Sequence, residues 1–195
     1  MDKFTASGYN RETRGLAAVE DTLYLVPVGD VQGAILHPLC AGVEEVLGIP
    51  TQVAPALPHP SYAYSMERDQ YLSTSILEQL AQVDQPNTFR VLGVVDLDLY
   101  VPQLNFVFGQ AATGGREALV ALPRLRQSFY GMPEDLRLFH HRTLKEALHE
   151  LGHTFGLGHC PMRNCVMFFS NSLRDTDTKG TNLCPSCARS LEQQS

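Results

Sequence analysis

Between His149 and His159 the chain reads HELGHTFGLGH, a HExxHxxGxxH pattern. Five fixed positions drawn partly from rare residue types arise by chance in a chain this long on the order of once in a hundred thousand. A helix with merely solvated histidines is therefore a poor account of it. The spacing dictates local structure. His149 and His153 are four apart, so a helix places them on one face, one turn apart. Glu150 falls beside that pair, where a carboxylate can take a proton from water acidified by a metal. Gly156 can adopt the left-handed conformation that ends a helix, and Gly158 adds freedom, so that His159 turns back toward the same point. Three imidazoles leave a fourth tetrahedral position open, the mark of a catalytic rather than a closed structural zinc.

Four of the five cysteines follow at once: Cys160, Cys165, Cys184 and Cys187. They form CxxxxC and CxxC pairs like the knuckles of a structural zinc site, with sixteen residues between Met167 and Cys184. Two disulfides, or redox thiols, are the alternative. The stretch from Met1 to Asn10 is polar and unlike a signal peptide. A cytoplasmic, reducing location is expected, and it favours thiolates on metal. Cys40 follows an apolar stretch and reads as a buried small hydrophobe.

The segments HELGHTFGLGHC, CVM and CPSC resemble the archaemetzincins, a family of metzincin-like zinc metallopeptidases. Cys160, directly after the third histidine, carries the distinction from other metzincins. The stretch from Leu104 to Ala111 and the run from Leu144 to Cys160 are also similar to the family. The loop before Cys184 is slightly shorter than the usual family spacing. The likeness extends from about Thr22 onward and is tightest from Thr143 to Cys187. It implies an α/β (α+β) metzincin-like fold: a mixed, mostly parallel sheet with an antiparallel edge strand, an active-site helix and a small C-terminal lobe. It also implies that Met167 is the methionine of a tight turn beneath the histidines. Read alone, Met167 among Val166, Phe168 and Phe169 is a core residue, and both readings can hold. Some metzincins carry an oxyanion-stabilising tyrosine two residues after that methionine. Here the position is Phe169, which has no donor.

A length of 195 residues suits a single catalytic domain over 21–195, with lobes at 21–158 and 159–195, after an arm at 1–20 poor in apolar groups. Fifteen basic against twenty-one acidic residues give a net charge of −6, which argues against nucleic acid as a partner. No apolar run approaches the length of a membrane span. Strands are expected at Thr22–Val28, Gln52–Leu57, Arg90–Val95, Phe106–Phe108 and Glu117–Leu122, with helices over 32–47, 68–82 and 134–155. The Phe106 strand is the expected antiparallel edge, able to pair with an extended peptide or to serve as ordinary sheet. Leu144, Leu148, Leu151 and Phe155 form the apolar seam of the last helix. His37, His59, His140 and His141 stand outside any ligand spacing. Asp175, Asp177 and Lys179 read as a solvated loop, or as a border of the cleft supplying an acceptor to a histidine N–H.

The leading expectation is a zinc-dependent peptidase with two zinc ions per chain. Its ligands are His149, His153 and His159 at the catalytic site and the four cysteines at the structural site. Glu150 is the general base, the substrate is a peptide or protein, and the chain is a monomer by default. The alternative is a zinc-stabilised protein that holds a peptide or partner with little turnover.

Overall fold

The computed structural model describes residues 21–193, so the arm expected at 1–20 lies outside the described residues. The elements follow the order β1 (Thr22–Val28), α1 (Gly33–Leu47), β2 (Thr51–Val53), β3 (Tyr64–Ser65), β4 (Gln70–Leu72), α2 (Ser73–Leu80) and β5 (Thr88–Val95). Then come β6 (Leu99–Tyr100), β7 (Gly109–Ala111), β8 (Glu117–Ala121), α3 (Leu136–Thr154), α4 (Leu173–Thr178) and α5 (Pro185–Glu192). The main sheet has the order β2-β1-β5-β8-β7. Its first four strands are parallel, and β7 is antiparallel to β8. This is the expected mixed α/β architecture.

Strand alternation divides the core. Leu23 and Leu25 of β1, Leu92 and Val94 of β5, and Ala118 and Val120 of β8 face one layer, packed with α1 and α3. Their neighbours Tyr24, Val26, Val91, Val95 and Leu119 face the other, packed with α2 through Ile76, Leu77 and Leu80. Side chains pointing alternately to opposite faces, both covered by helices, explain why β1 and β5 are continuous apolar runs. The outcome for the active-site region is that α3 lies across β8 and β7 with Leu148 and Leu151 fully buried.

Several expected elements differ in detail. The second strand stops at Val53, because Pro55 has no N–H for a ladder. Pairing resumes at Leu57, whose N–H donates to the Pro27 carbonyl at 2.8 Å. The helix expected over 68–82 is a strand and then a helix. β4 pairs antiparallel with β3 and parallel with β6, forming a small three-stranded sheet, and α2 starts only at Ser73. The edge strand is displaced from Phe106–Phe108 to Gly109–Ala111. Phe108 is buried in the core, and Phe106 packs edge-on against it at 5.2 Å. The apolar run thus anchors the approach to the edge, and the smaller residues after it make the ladder.

The stretch expected as a solvated loop is also ordered. Residues Leu173–Thr178 form α4, capped by the Ser172 side chain on the Asp175 N–H. Two of the charges in this stretch, Asp177 and Lys179, are paired. Arg142 of α3, itself buried, makes two 2.7 Å bonds to the carboxylate of Asp177, and Lys179 is 1% exposed. No helix among the described residues is long and apolar enough to cross a membrane.

Candidate active site and metal centres

Helix α3 sets the site. Asp135 caps its start, accepting from the Leu138 N–H at 2.9 Å. Its end is a Schellman turn: the Gly156 N–H reaches the His153 carbonyl and the Leu157 N–H reaches the Gly152 carbonyl, at 2.9 and 3.2 Å. Gly156 has φ +81°, the left-handed conformation that its lack of a Cβ permits. Gly158, expected to share this role, has no positive φ. The turn carries His159 back to the helix. The three imidazole rings lie 4.7, 4.9 and 5.3 Å apart, centroid to centroid.

Two hydrogen bonds decide which ring nitrogens face inward. His149 Nδ1 donates to the Val166 carbonyl at 2.8 Å, and His153 Nδ1 donates to the Leu157 carbonyl at 2.7 Å. In these neutral tautomers each Nε2 carries a lone pair. The two Nε2 atoms are 3.2 Å apart. Two lone pairs at that distance with no proton between them repel, and a cation between them removes the conflict. Tetrahedral zinc with bonds near 2.0–2.1 Å places its nitrogens about 3.3 Å apart, so the residues fit the metal. The acceptors are backbone carbonyls, not the aspartates of α4. Burial holds all three imidazoles below the ordinary range, His149 furthest, which keeps them neutral and ready as ligands.

Glu150 adjoins the trio at the foot of a cleft of about 630 Å³. Burial pushes its carboxyl up to about 8; Glu146 one turn away adds to this and Lys179 opposes it. A cation held by the three histidines would act with Lys179, favouring the ionised form. Above the carboxylate runs β7. A Cβ at Gly109 would lie 2.5 Å from Glu150 Cγ and from the Leu119 carbonyl, so the edge-strand backbone rests directly on the Glu150 side chain. Below, a Cβ at Gly152 would overlap Met167 Sδ, so Met167 packs against α3 under the histidines. Neither glycine was singled out in the sequence. Phe169 lies 4.8 Å from the His159 ring and forms part of the lower wall, with Ser170 and Asn171.

The four cysteines come together on the far side of the same turn. Cys160 and Cys184 have their sulfurs 3.7 Å apart, close to the roughly 3.8 Å expected for two thiolates on one tetrahedral zinc. All four ligand atoms lie within 4.8 Å of one another, as do those of the histidine trio. No disulfide joins any cysteine, and the four sulfurs converge as a ligand group would. The Cys160 N–H donates to the Met167 carbonyl, and the Val166 N–H to the Asn182 carbonyl, both at 2.9 Å. The segment that accepts from His149 is thereby tied to both halves of the cysteine cluster. Cys40 stands apart, half-buried, its thiol donating to the Thr51 carbonyl at 3.2 Å. His37, His59 and His141 are exposed, His140 is half-buried, and none joins a ligand group.

A family model described as peptidase family M54 matches residues 48–193. The chain is 44% identical over 168 residues to an archaemetzincin of Methanocaldococcus jannaschii, a match covering 86% of this chain and 91% of the relative. It is 42% identical over 182 residues to one of Pyrococcus furiosus, covering 90% and 95%. The crystal structure of archaemetzincin from Methanopyrus kandleri has a TM-score of 0.79 at 40% identity, covering 93% of this chain and 98% of that one. With its histidine trio and buried glutamate in one cleft, the chain belongs to peptidase family M54, the family of its archaemetzincin relatives, and is a zinc metallopeptidase.

Proposed function

We propose that His149, His153 and His159 hold the catalytic zinc ion and that Glu150 is the general base of peptide hydrolysis. The observation that carries this is the pair of inward-facing Nε2 atoms beside a buried carboxylate at the foot of an open cleft. When bound there, zinc supplies Lewis-acid chemistry, polarising a peptide carbonyl and bringing the pKa of water down toward about 7. Glu150 accepts the proton of the attacking water and returns it to the leaving amine. The β7 backbone, resting on Glu150, presents an edge along which an extended peptide can pair. Met167 is the floor beneath the ligands. Phe169 brings no hydroxyl, so the donors for the developing oxyanion are backbone N–H groups or neighbouring cleft side chains such as Ser170 and Asn171.

Cys160, Cys165, Cys184 and Cys187 are read as the ligands of a second, structural zinc, making two ions per chain. Residues 21–158 then form the upper lobe and the described residues from 159 onward the lower, closed by that second ion. Thiolate ligation suits a reducing, cytoplasmic setting. The substrate is a peptide or protein met by a monomer, and the net charge of −6 disfavours nucleic acid.

Metal analysis combined with a quenched-peptide library tests both parts. Wild type is expected to hold about two zinc ions per chain, one for each ligand group, and to cleave at least one peptide. Glu150→Ala should bind zinc normally and cleave none. Equal cleavage by Glu150→Ala would remove the general-base assignment, and binding of peptide without turnover by wild type would favour the holding function instead.

A further inference from the structure

Among the described residues, the ion pair between Glu146 and Lys179 is fully buried, with side chains 2% and 0% exposed. Apart from their opposed fields on Glu150, neither partner touches the reacting groups in the chemistry above. Glu146 lies on α3 one turn before Glu150 and lines the cleft. Lys179 follows α4 and donates to Glu146 Oε2 at 2.9 Å and to the Phe168 carbonyl at 3.4 Å. The Thr176 hydroxyl donates to Glu146 Oε1 at 2.6 Å. Both carboxylate oxygens are thus occupied by residues of one short segment of the lower lobe.

Stability is a weak reason for such a pair. Stripping water from two charges costs about as much as their attraction returns, and apolar residues of similar volume commonly do as well or better. Its position offers a stronger reason. Phe168 lies between Met167 and Phe169, and the Phe169 ring abuts His159. His159 is the exposed member of the trio. Among the described residues its ring meets the other two imidazoles and Phe169, and has no hydrogen-bond partner of the kind that fixes His149 and His153. His159 is thus oriented by its packing on Phe169, in a wall held by the Cys160–Met167 backbone bond on one side and by Lys179 on the other.

We propose that Lys179 is a positioning residue for the hydrolytic reaction. Through Glu146 and the Phe168 carbonyl it locks the Phe168–Phe169 wall to α3, and so holds His159 in register with His149 and His153. This rests on the peptidase reading of the cleft.

The test replaces the pair by apolar residues in the double variant Glu146→Leu/Lys179→Met. The variant should melt at or above the wild-type temperature and keep its zinc content. Its kcat should fall on the order of 10–100-fold while KM changes by less than about threefold, the signature of misplaced groups rather than lost binding. Loaded with cobalt, it should show a visible spectrum shifted from that of cobalt-loaded wild type. A kcat within about twofold of wild type overturns the proposal, as does an unshifted cobalt spectrum. If the double variant does not fold, Thr176→Val decides. It removes one bond to Glu146 and should lower kcat about 3–10-fold, and an unchanged kcat counts against the proposal. If wild type itself cleaves no peptide, the peptidase reading falls, while the cobalt spectra still decide whether Lys179 orients the trio.

Discussion

The histidine trio and the cysteine quartet meet at the adjacent residues His159 and Cys160, yet they are opposites. Cys160, Cys165 and Cys184 are buried, while His159 is exposed and its group opens on the cleft. On the proposed reading the quartet would supply four ligand atoms and close a tetrahedral shell, while the trio would supply three and leave one position for reaction. Their supports differ as well. Two histidines are held by backbone carbonyls and the third by packing, whereas the cysteines are spread over a turn and the start of a helix. The comparison teaches that two ligand groups can abut at one pair of neighbouring residues, His159 and Cys160, when one of them is exposed and the other buried.

The sharpest test of that division is Glu150→Ala. It should lower kcat by about 10²–10⁴-fold with an unchanged melting temperature, since it removes a proton carrier and no ligand. Next comes Cys184→Ser, which leaves three thiolates. Its expected cost is about 3 kcal/mol or more of stability by thermal or denaturant unfolding, because structural zinc binding is folding energy. A variant that lost activity but kept full stability would erase the distinction between the two centres. Gly109→Ala should lose about tenfold in kcat and melt below wild type, as its methyl would lie 2.5 Å from both Glu150 Cγ and the Leu119 carbonyl of the neighbouring strand. The smallest effect is expected from Phe169→Tyr. Stability should change by less than about 0.5 kcal/mol at this 43% exposed ring, and kcat should rise by at most about fivefold through the added donor. A loss of activity there would mean that ring packing on His159 outweighs any hydroxyl.

How much of this the sequence displays depends on where the information lies. The helix, the turn at Gly156 and the convergence of His149, His153 and His159 follow from spacing alone, because helical periodicity is local. The cysteine cluster follows from ligand arithmetic. Tertiary competition hides the rest. Leu72 fits the spacing of the α2 face, yet it lies in a strand beside Tyr100. Phe106–Phe108 has strand composition, but the core claims Phe108 and the ladder moves on to Gly109. Lys179 sits in a polar string that looks solvated. Its burial depends on Glu146, thirty-three residues earlier, and no local pattern announces a partner that distant. Arg142 and Asp177 are hidden from the sequence for the same reason.

The two close approaches at Gly109 and Gly152 also bear on redesign. One brings the sheet edge against Glu150 from above, and the other brings Met167 against α3 from below. The catalytic layer therefore has a fixed thickness and no slack at its centre. An engineer who wants a different substrate preference has to work at the ends of the cleft, at positions such as Thr74 and Asn171, and leave the middle as it stands.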